Sequence, residues 1–459
     1  MGLIVRFLDL LRPTPPAPAI EDEDAVKKQY KYWRLRIFYS MYVGYIFYYF
    51  SRKSFTFAMP SLMKELGFEK SDMGILASIM AITYGLSKFI SGVASDRSNP
   101  RFFMAFGLIL TGVANIFFGL SSSILCFAIF WGINGWFQGW GWPPCARLLT
   151  HWYSQSERGT WWGIWNSSHS VGGALIPILA AFCAAFFGWR YAMYVPGVLC
   201  ILTGLFLINR LRDTPQSMGL PPVEKFRNDY GAEQKTPEAR ELTAKEILFK
   251  YVLNNRYIWI LALAYFFVYM IRQGVNDWGM LYLCEEKSYS TMFASSCIFS
   301  FEIGGIFGSF VAGWSSDKIF KGRRGPICAL FSFLVILAIA GLWLSPPGAQ
   351  MLDSCLLFAI GFLIFGPQML IGMAAAELSH KKAAGSATGF IGWVAYLGAA
   401  TAGYPLSLIT QYWGWEAFFW TLGISGVISV SLLLPLWKIK YRPEEPREKL
   451  PVEGIPEQG

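Results

Sequence analysis

Long apolar stretches alternate with short polar ones along the whole chain, and this alternation limits the fold more than any motif does. Apolar stretches at 37–60, 73–95, 102–121, 123–149, 161–187 and 189–210 precede a polar interval at 211–255. Six more follow, at 256–283, 291–316, 326–345, 351–378, 385–410 and 415–437. Each reaches the ~20 residues an α-helix needs to cross a ~30 Å hydrocarbon core. Only 15% of the 459 residues are charged and the mean hydropathy is +0.39, whereas soluble chains carry about 25% charged residues. Backbone polar groups in oil must pair within their own segment, so the stretches are read as helices. The expected class is an all-α polytopic membrane protein with 12 transmembrane helices.

Lysine and arginine set the expected topology. They crowd the segment before the first span, every second loop and the segment after the last span. Only Lys64, Lys70, Arg190 and Lys287 fall in the opposite set of loops, and Arg52, Lys53, Lys88 and Arg272 lie within spans. By the positive-inside rule both termini are expected to be cytoplasmic, in a multi-pass protein of the inner (cytoplasmic) membrane. The expected organisation is a cytoplasmic extension (1–36), a six-helix bundle (37–210), a central cytoplasmic loop (211–255), a second bundle (256–437) and a cytoplasmic tail (438–459). The extension runs from proline-rich to acidic to basic, and its basic end suits anionic headgroups. Arg6 and Asp9 break its first apolar stretch, so no secretory signal is expected. Arg6 also breaks the myristoylation pattern that Gly2 opens.

The net charge of +9 does not imply nucleic acid, because the cations sit in loops between spans rather than on one soluble face. Eight cysteines lie scattered in apolar segments without metal-ligand spacing, which reads as small core residues rather than disulfides.

The sequence repeats itself. Gly92-Val-Ala-Ser-Asp96-Arg97 after the second span returns 221 residues later as Gly313-Trp-Ser-Ser-Asp317-Lys318. Gly163, Gly172 and Gly188-Trp189 return at an offset of 226 as Gly389, Gly398 and Gly414-Trp415. Two parallel, pseudo-symmetric six-helix halves joined by a central loop are the arrangement of the major-facilitator fold, whose sites lie at the midplane between halves.

The repeat also contains charge. Tyr45, Tyr49 and Arg52 share one face of the first span, and Tyr265, Tyr269 and Arg272 repeat that face 220 residues later. A charge at mid-membrane costs about 2.5–3.5 kcal/mol on insertion scales and therefore faces a cavity or a partner. Pseudo-symmetry brings the two arginines to one central cavity, where two guanidinium forks suit a dianion with several oxygens, such as a phosphate monoester. The competing reading has each arginine neutralising a buried carboxylate, for which Glu302 and Asp277 are the main candidates. Lys53, about 100° further round the helix, is expected to fall outside this clamp.

Lys88, one turn after Tyr84, either adds cationic potential to the cavity or snorkels. Glu302 is read as a partner for Arg272 or Lys88 in the empty cavity, exchanged for substrate as a gate. Trp162, Trp165, Asn166 and His169 share a face whose counterparts in the second half include Gly392 and Ala395. That asymmetry suits a substrate with one phosphate and a polar body. Asp96, Arg97, Asp317 and Lys318 are expected to lock the inner gate through salt bridges, with His151 and Arg158 nearby. No phosphate loop, metal spacing or nucleophile-base pair is present, so neither an enzyme nor a cofactor or metal is expected.

Several runs resemble the organophosphate:phosphate antiporter family: Tyr49-Phe-Ser-Arg52-Lys53, Tyr84-Gly-Leu-Ser-Lys88, Phe137-Gln-Gly-Trp-Gly-Trp-Pro-Pro144, Arg212-Asp-Thr-Pro-Gln-Ser217 and Asn276-Asp277-Trp278. The segment 366–385, with Met373, Glu377 and His380, is most similar to the UhpC-type hexose-phosphate branch, which contains glucose-6-phosphate transporters and a sensor of that sugar. The resemblance implies exchange of hexose phosphate for inorganic phosphate across the lipid bilayer by alternating access. It implies phosphate binding by Arg52 and Arg272, with Lys88, His169, Asn166, Tyr45, Tyr49, Tyr269 and Glu302 lining or coupling the site. Phe365 stands where glycerol-phosphate relatives carry tyrosine, which removes one hydroxyl contact. Two other readings stay open: a receptor signalling to a sensor kinase, and a proton-coupled organic-anion symporter using His169 or Glu302.

Overall fold

A computed structural model describes residues 9–96, 98–229, 249, 252–379 and 384–439. The first half consists of α1 (Glu23–Leu66), α2 (Lys70–Asp96), α3 (Pro100–Leu120), α4 (Ile124–Gln138), α5 (Trp142–Trp152), α6 (Gln155–Phe187) and α7 (Tyr191–Arg210). The second consists of α8 (Arg256–Glu285), α9 (Thr291–Lys318), α10 (Arg324–Leu344), α11 (Gln350–Leu378), α12 (Ala384–Thr401) and α13 (Tyr404–Leu433). Among the described residues, nine helical segments are long and apolar enough to cross a membrane. One of these, Ser386–Lys438, carries two passes, because Gly414 breaks it at φ 77°. The charge-bearing α1 and the broken pair α4–α5 supply the remaining two. The all-helical, twelve-pass expectation therefore holds.

The repeats correspond to equivalent backbone features. Gly188 (φ 95°) and Gly414 (φ 77°) both sit in the left-handed region between the last two passes of their half, where only glycine turns the chain without strain. Gly172 lies against the Ile46 carbonyl of α1, and Gly398 lies against the Phe266 carbonyl of α8. Each contact is the other's image at the offsets read from the sequence.

Two expected spans are interrupted. The stretch 123–149 breaks at Gly139–Gly141, and Pro143 and Pro144 open α5, because proline cannot donate to a preceding turn. Gly139 lies against Ser87 and the Lys88 backbone of α2, and Gly141 lies against the Tyr48 ring. The break thus lets α1 and α2 approach and aims Trp142 inward. The stretch 385–410 breaks at Ala402–Gly403, where the chain meets α2. There the Ser78 hydroxyl donates to the Ala400 carbonyl (2.7 Å) and accepts from the Tyr404 amide (2.7 Å).

The side of the bundle where the described chain begins and ends is here called the terminal side, and the opposite one the far side. On the terminal side α1 starts at Glu23, capped by the Asp22 carboxylate, so the expected boundary at 36/37 falls inside a continuous helix. The segment before it straps the first half together. Thr14 N–H donates to Asp213 (2.9 Å), Asn99 donates to Leu11 and Thr14 (2.7 and 2.8 Å), and Ala17 and Ile20 donate to the carbonyls of Gln216 and Gly219. Arg147 of α5 completes the Asp213 carboxylate at 3.0 Å. Six of the eight cysteines are buried or half-buried as expected, whereas Cys126 and Cys355 are exposed on the helix surface. Most of the central loop and the whole tail beyond 439 lie outside the described residues.

Candidate functional site

The two halves meet around a cavity of about 180 Å³, smaller than the ~300–1,000 Å³ pockets of drug-sized ligands and so matched to a compact solute. Arg52 from α1 and Arg272 from α8 both line it, as the repeat requires. Each guanidinium lies over aromatic rings. Arg52 is 4.7 Å from the Tyr49 centroid and 4.2 Å from that of Tyr84, while Arg272 is 4.7 Å from Phe365 and 5.8 Å from Tyr269. The rings supply cation–π stabilisation without consuming the N–H donors. Phe365 thus offers Arg272 a ring face and no hydroxyl.

Among the described residues, neither arginine pairs with a carboxylate. Arg52 Nε donates to Gln138 Oε1 at 3.2 Å, yet its Nη2 is buried with no acceptor. Arg272 Nε is likewise buried and without an acceptor. Unmade hydrogen bonds of buried charged groups are expensive, so both guanidiniums keep unmet hydrogen-bonding capacity at the cavity. Behind Arg52 a chain of amides fixes its position. Gln138 Nε2 donates to Ser51 (2.9 Å) and Asn134 (3.2 Å), Asn134 donates to Asn115 (3.0 Å), and Asn115 donates to the Met193 carbonyl (3.2 Å).

The carboxylates are committed elsewhere. Glu302, fully buried on α9, forms an ion pair with Lys53, whose ammonium also donates to Asn276 Oδ1 at 2.8 Å. Two sequence expectations are corrected here. Lys53 belongs to the cavity lining, and Glu302 pairs with it rather than with Arg272 or Lys88. The flexible lysine stem reaches across the interface to α8 and α9, which a helix-face angle on α1 alone does not reveal. Asp277 also lines the cavity, held by Gln273 (2.8 Å) and Asn276 (2.9 Å) rather than by an arginine.

Lys88 enters the cavity, with its ammonium 5.3 Å from the Trp142 centroid and 5.6 Å from that of Tyr396. Tyr45, Tyr49, Asn166, His169 and Tyr269 line it as expected. The His169 ring lies 5.9 Å from Tyr49. Trp162, Trp165 and Tyr265 stay outside the lining: the Trp165 ring packs tilted against Tyr45 with centroids 4.9 Å apart, and Tyr265 meets Tyr269 edge to face at 4.8 Å. Tyr396, Gln273 and Gln368 line the cavity without a sequence signal that singled them out.

Of the expected terminal-side lock, only the second-half members, Asp317 and Lys318, have described side chains. Asp317 pairs with Arg324, which also grips Glu377 (2.9 Å), all within the second half, and Lys318 is exposed. Arg97 and the side chains of Asp96 and Arg158 lie outside the described residues. His151 is exposed on α5. Among the described residues, the polar contacts that join the halves lie at the cavity or on its far side. Lys70 pairs with Glu285 at 2.8 Å and lies 4.7 Å from the Trp415 ring. Gln411 donates to Glu69 (2.5 Å) and accepts from the Ser71 amide (2.9 Å). Sequence reasoning found none of these partners, because each joins segments hundreds of residues apart.

The Major Facilitator Superfamily model matches residues 41–403. The chain is 60% identical over 436 residues to a "Probable hexose phosphate transport protein" of Chlamydia pneumoniae, covering 93% of this chain and 96% of that protein. It is 49% identical over 429 residues to the "Membrane sensor protein UhpC" of Escherichia coli (strain K12), covering 94% of this chain and 98% of the other. In three dimensions it resembles a bacterial homologue of the human lysosomal transporter Spinster in an inward-facing, unoccupied conformation. That match has a TM-score of 0.68 at 15% identity, covering 88% of this chain and 95% of that one.

Proposed function

The chain belongs to the Major Facilitator Superfamily, and on that premise we propose that it exchanges a hexose phosphate, glucose 6-phosphate first, for inorganic phosphate by alternating access. One observation supports this above the others: two buried guanidiniums from symmetry-related helices face one cavity with N–H donors unused. Arg52 and Arg272 bind the phosphate, each offering a planar fork to two oxygens. Lys88 adds a third cationic contact, and Asn166, His169 and Gln273 receive the sugar hydroxyls.

Charge explains exchange. Arg52, Arg272, Lys53 and Lys88 against Glu302 and Asp277 leave two uncompensated positive charges, which is the charge of one phosphate dianion. Moving the bare pair through a closed, low-dielectric state is costly, so reorientation runs with cargo bound. The Lys53–Glu302 pair, lodged between α1 and α9, is the interface link that a bound anion competes to loosen. The lysine and arginine bias supports a cytosolic terminal side. With the far side tied by Lys70–Glu285 and Gln411–Glu69, the site faces inward.

The match to a membrane sensor favours a second reading, in which the same pocket binds glucose 6-phosphate and signals to a kinase. Counterflow in reconstituted vesicles separates the two. Uptake of labelled glucose 6-phosphate driven by internal phosphate supports the exchanger, whereas binding without flux supports the sensor.

A further inference from the structure

Away from the cavity, three arginines gather at the terminal-side ends of α1, α3 and α7. Arg36 donates through Nη2 to the Asn209 carbonyl (3.1 Å) and side chain (3.2 Å), and through Nη1 to the Tyr32 hydroxyl. Arg101 donates through Nε to the Ile208 carbonyl at 2.6 Å. Arg212 donates through Nη1 to the carbonyls of Asn209 (3.0 Å) and Leu211 (2.7 Å). Arg36 and Arg212 also flank the Trp33 ring, each 4.9 Å from its centroid.

Helix capping accounts for only part of this. The last carbonyls of α7 amount to about half a negative charge, whereas three full positive charges surround them. The described ion pairs of this region engage other cations, Arg34, Arg147 and Arg227. Of the five N–H groups each guanidinium carries, those on both terminal nitrogens of Arg101 and on Nη2 of Arg212 have no acceptor among the described residues. Burial, and then the charges of Arg101 and Arg36, hold Arg212 below its ordinary pKa, so a mutual repulsion persists in the protein alone.

The cluster sits at the end of an apolar lane. Leu202 and Leu205 of α7 and Tyr39 of α1 are exposed along the helix surface. Phe206 lies beside this lane, with its ring 6.3 Å from Tyr39 and 5.6 Å from the guanidinium of Arg210, a further cation at the end of α7. In a membrane protein, exposed apolar side chains of a spanning helix face acyl chains. A cationic crevice at the end of such a lane stands at headgroup depth, where clustered arginines attract anionic lipid.

We propose that the crevice between the terminal-side ends of α1, α3 and α7 holds the phosphate of an acidic phospholipid, with Arg36, Arg101 and Arg212 as donors and its acyl chains along Tyr39, Leu202 and Leu205. The lipid would neutralise the repulsion and tie α1 to α7.

The test is native mass spectrometry of the full chain in nonionic detergent, titrated with phosphatidylglycerol or phosphatidylcholine. Phosphatidylglycerol is expected to be retained with at least about tenfold preference, and each of R36Q, R101Q and R212Q to weaken it about fivefold. The K64Q variant, altered on the exposed far-side end of the same helix, should retain it as wild type does. Three results would overturn the proposal: equal retention of the two lipids by the wild type, an equal loss in K64Q, or displacement of phosphatidylglycerol by inorganic phosphate at matched concentration. The last would identify a soluble-phosphate site. The lipid preference of the wild type needs no variant to fold, and none of these readouts depends on transport.

Discussion

Arg52 and Arg272 are held by rings and amides rather than by carboxylates, so their charge is available to a ligand. Replacing either by lysine keeps the charge and removes the fork. Arg52→Lys or Arg272→Lys should raise the dissociation constant for inorganic phosphate about 10- to 100-fold, the value of a charge-assisted hydrogen bond or two. Isothermal titration of purified protein measures this, and unchanged affinity in both variants would remove the clamp. Gln138 touches Arg52 but does not line the cavity, so it acts through position. Gln138→Ala should weaken phosphate binding about fivefold, one net hydrogen bond, while Gln138→Glu should weaken it more steeply, because a carboxylate there occupies the guanidinium. Lys53 shows where residue-level reading fails. Its angle on α1 separates it from Arg52, but a long side chain at a two-sided interface does not obey the helical wheel of its own helix.

Among the elements, the far-side tie and the terminal-side strap make opposite demands. Under the proposed alternating access, the tie must break in every transport cycle. Lys70 and Glu285 are partly exposed, so their pair is worth a fraction of a kcal/mol, weak enough to be reversible. Lys70→Ala should shift the equilibrium toward far-side opening, seen as a longer spin-label distance between α2 and α8 in electron–electron resonance; an unaltered distribution would deny the tie any part in gating. The strap should not break. Asp213 is buried and receives both Arg147 and the Thr14 amide, so Asp213→Ala leaves a buried arginine without its partner and should lower stability by about 3–5 kcal/mol. Between them, Glu157 joins Arg34 (2.6 Å) to Arg227 (3.1 Å) at the start of α6. Burial raises its pKa, but the hydrogen bond and charge of Arg34, with Arg227, outweigh it and hold the carboxyl below its ordinary value. A depressed carboxyl stabilises the fold above its unfolded pKa of about 4.3 and loses that contribution as pH falls through the lower folded value. The melting temperature of Glu157→Gln should therefore lie below wild type at pH 7 and converge with it below about pH 4; a constant difference would show that charge is not what Glu157 contributes.

At the scale of the whole molecule, a duplicated half makes much of the fold legible in sequence. Spans follow from hydropathy because oil leaves the backbone no alternative to the helix. The arginine pair follows from the repeat, since equivalent positions in the two halves fall around one axis. The breaks at Gly139–Gly141 and Ala402–Gly403 are not legible as breaks, because glycine and proline at those positions are tolerated inside membrane helices and only contact with α1 and α2 decides. The cavity's floor and far-side closure, Tyr396 and Gln411 among them, follow from how the halves dock, and no local pattern encodes docking. Under the proposed exchange, two arginines with unused donors are the reason the molecule moves loaded rather than empty.

The most direct test of that claim is counterflow in vesicles containing the purified protein. Vesicles preloaded with inorganic phosphate should accumulate labelled glucose 6-phosphate transiently, and vesicles without internal phosphate should accumulate almost none. Equal uptake by loaded and empty vesicles would contradict the account.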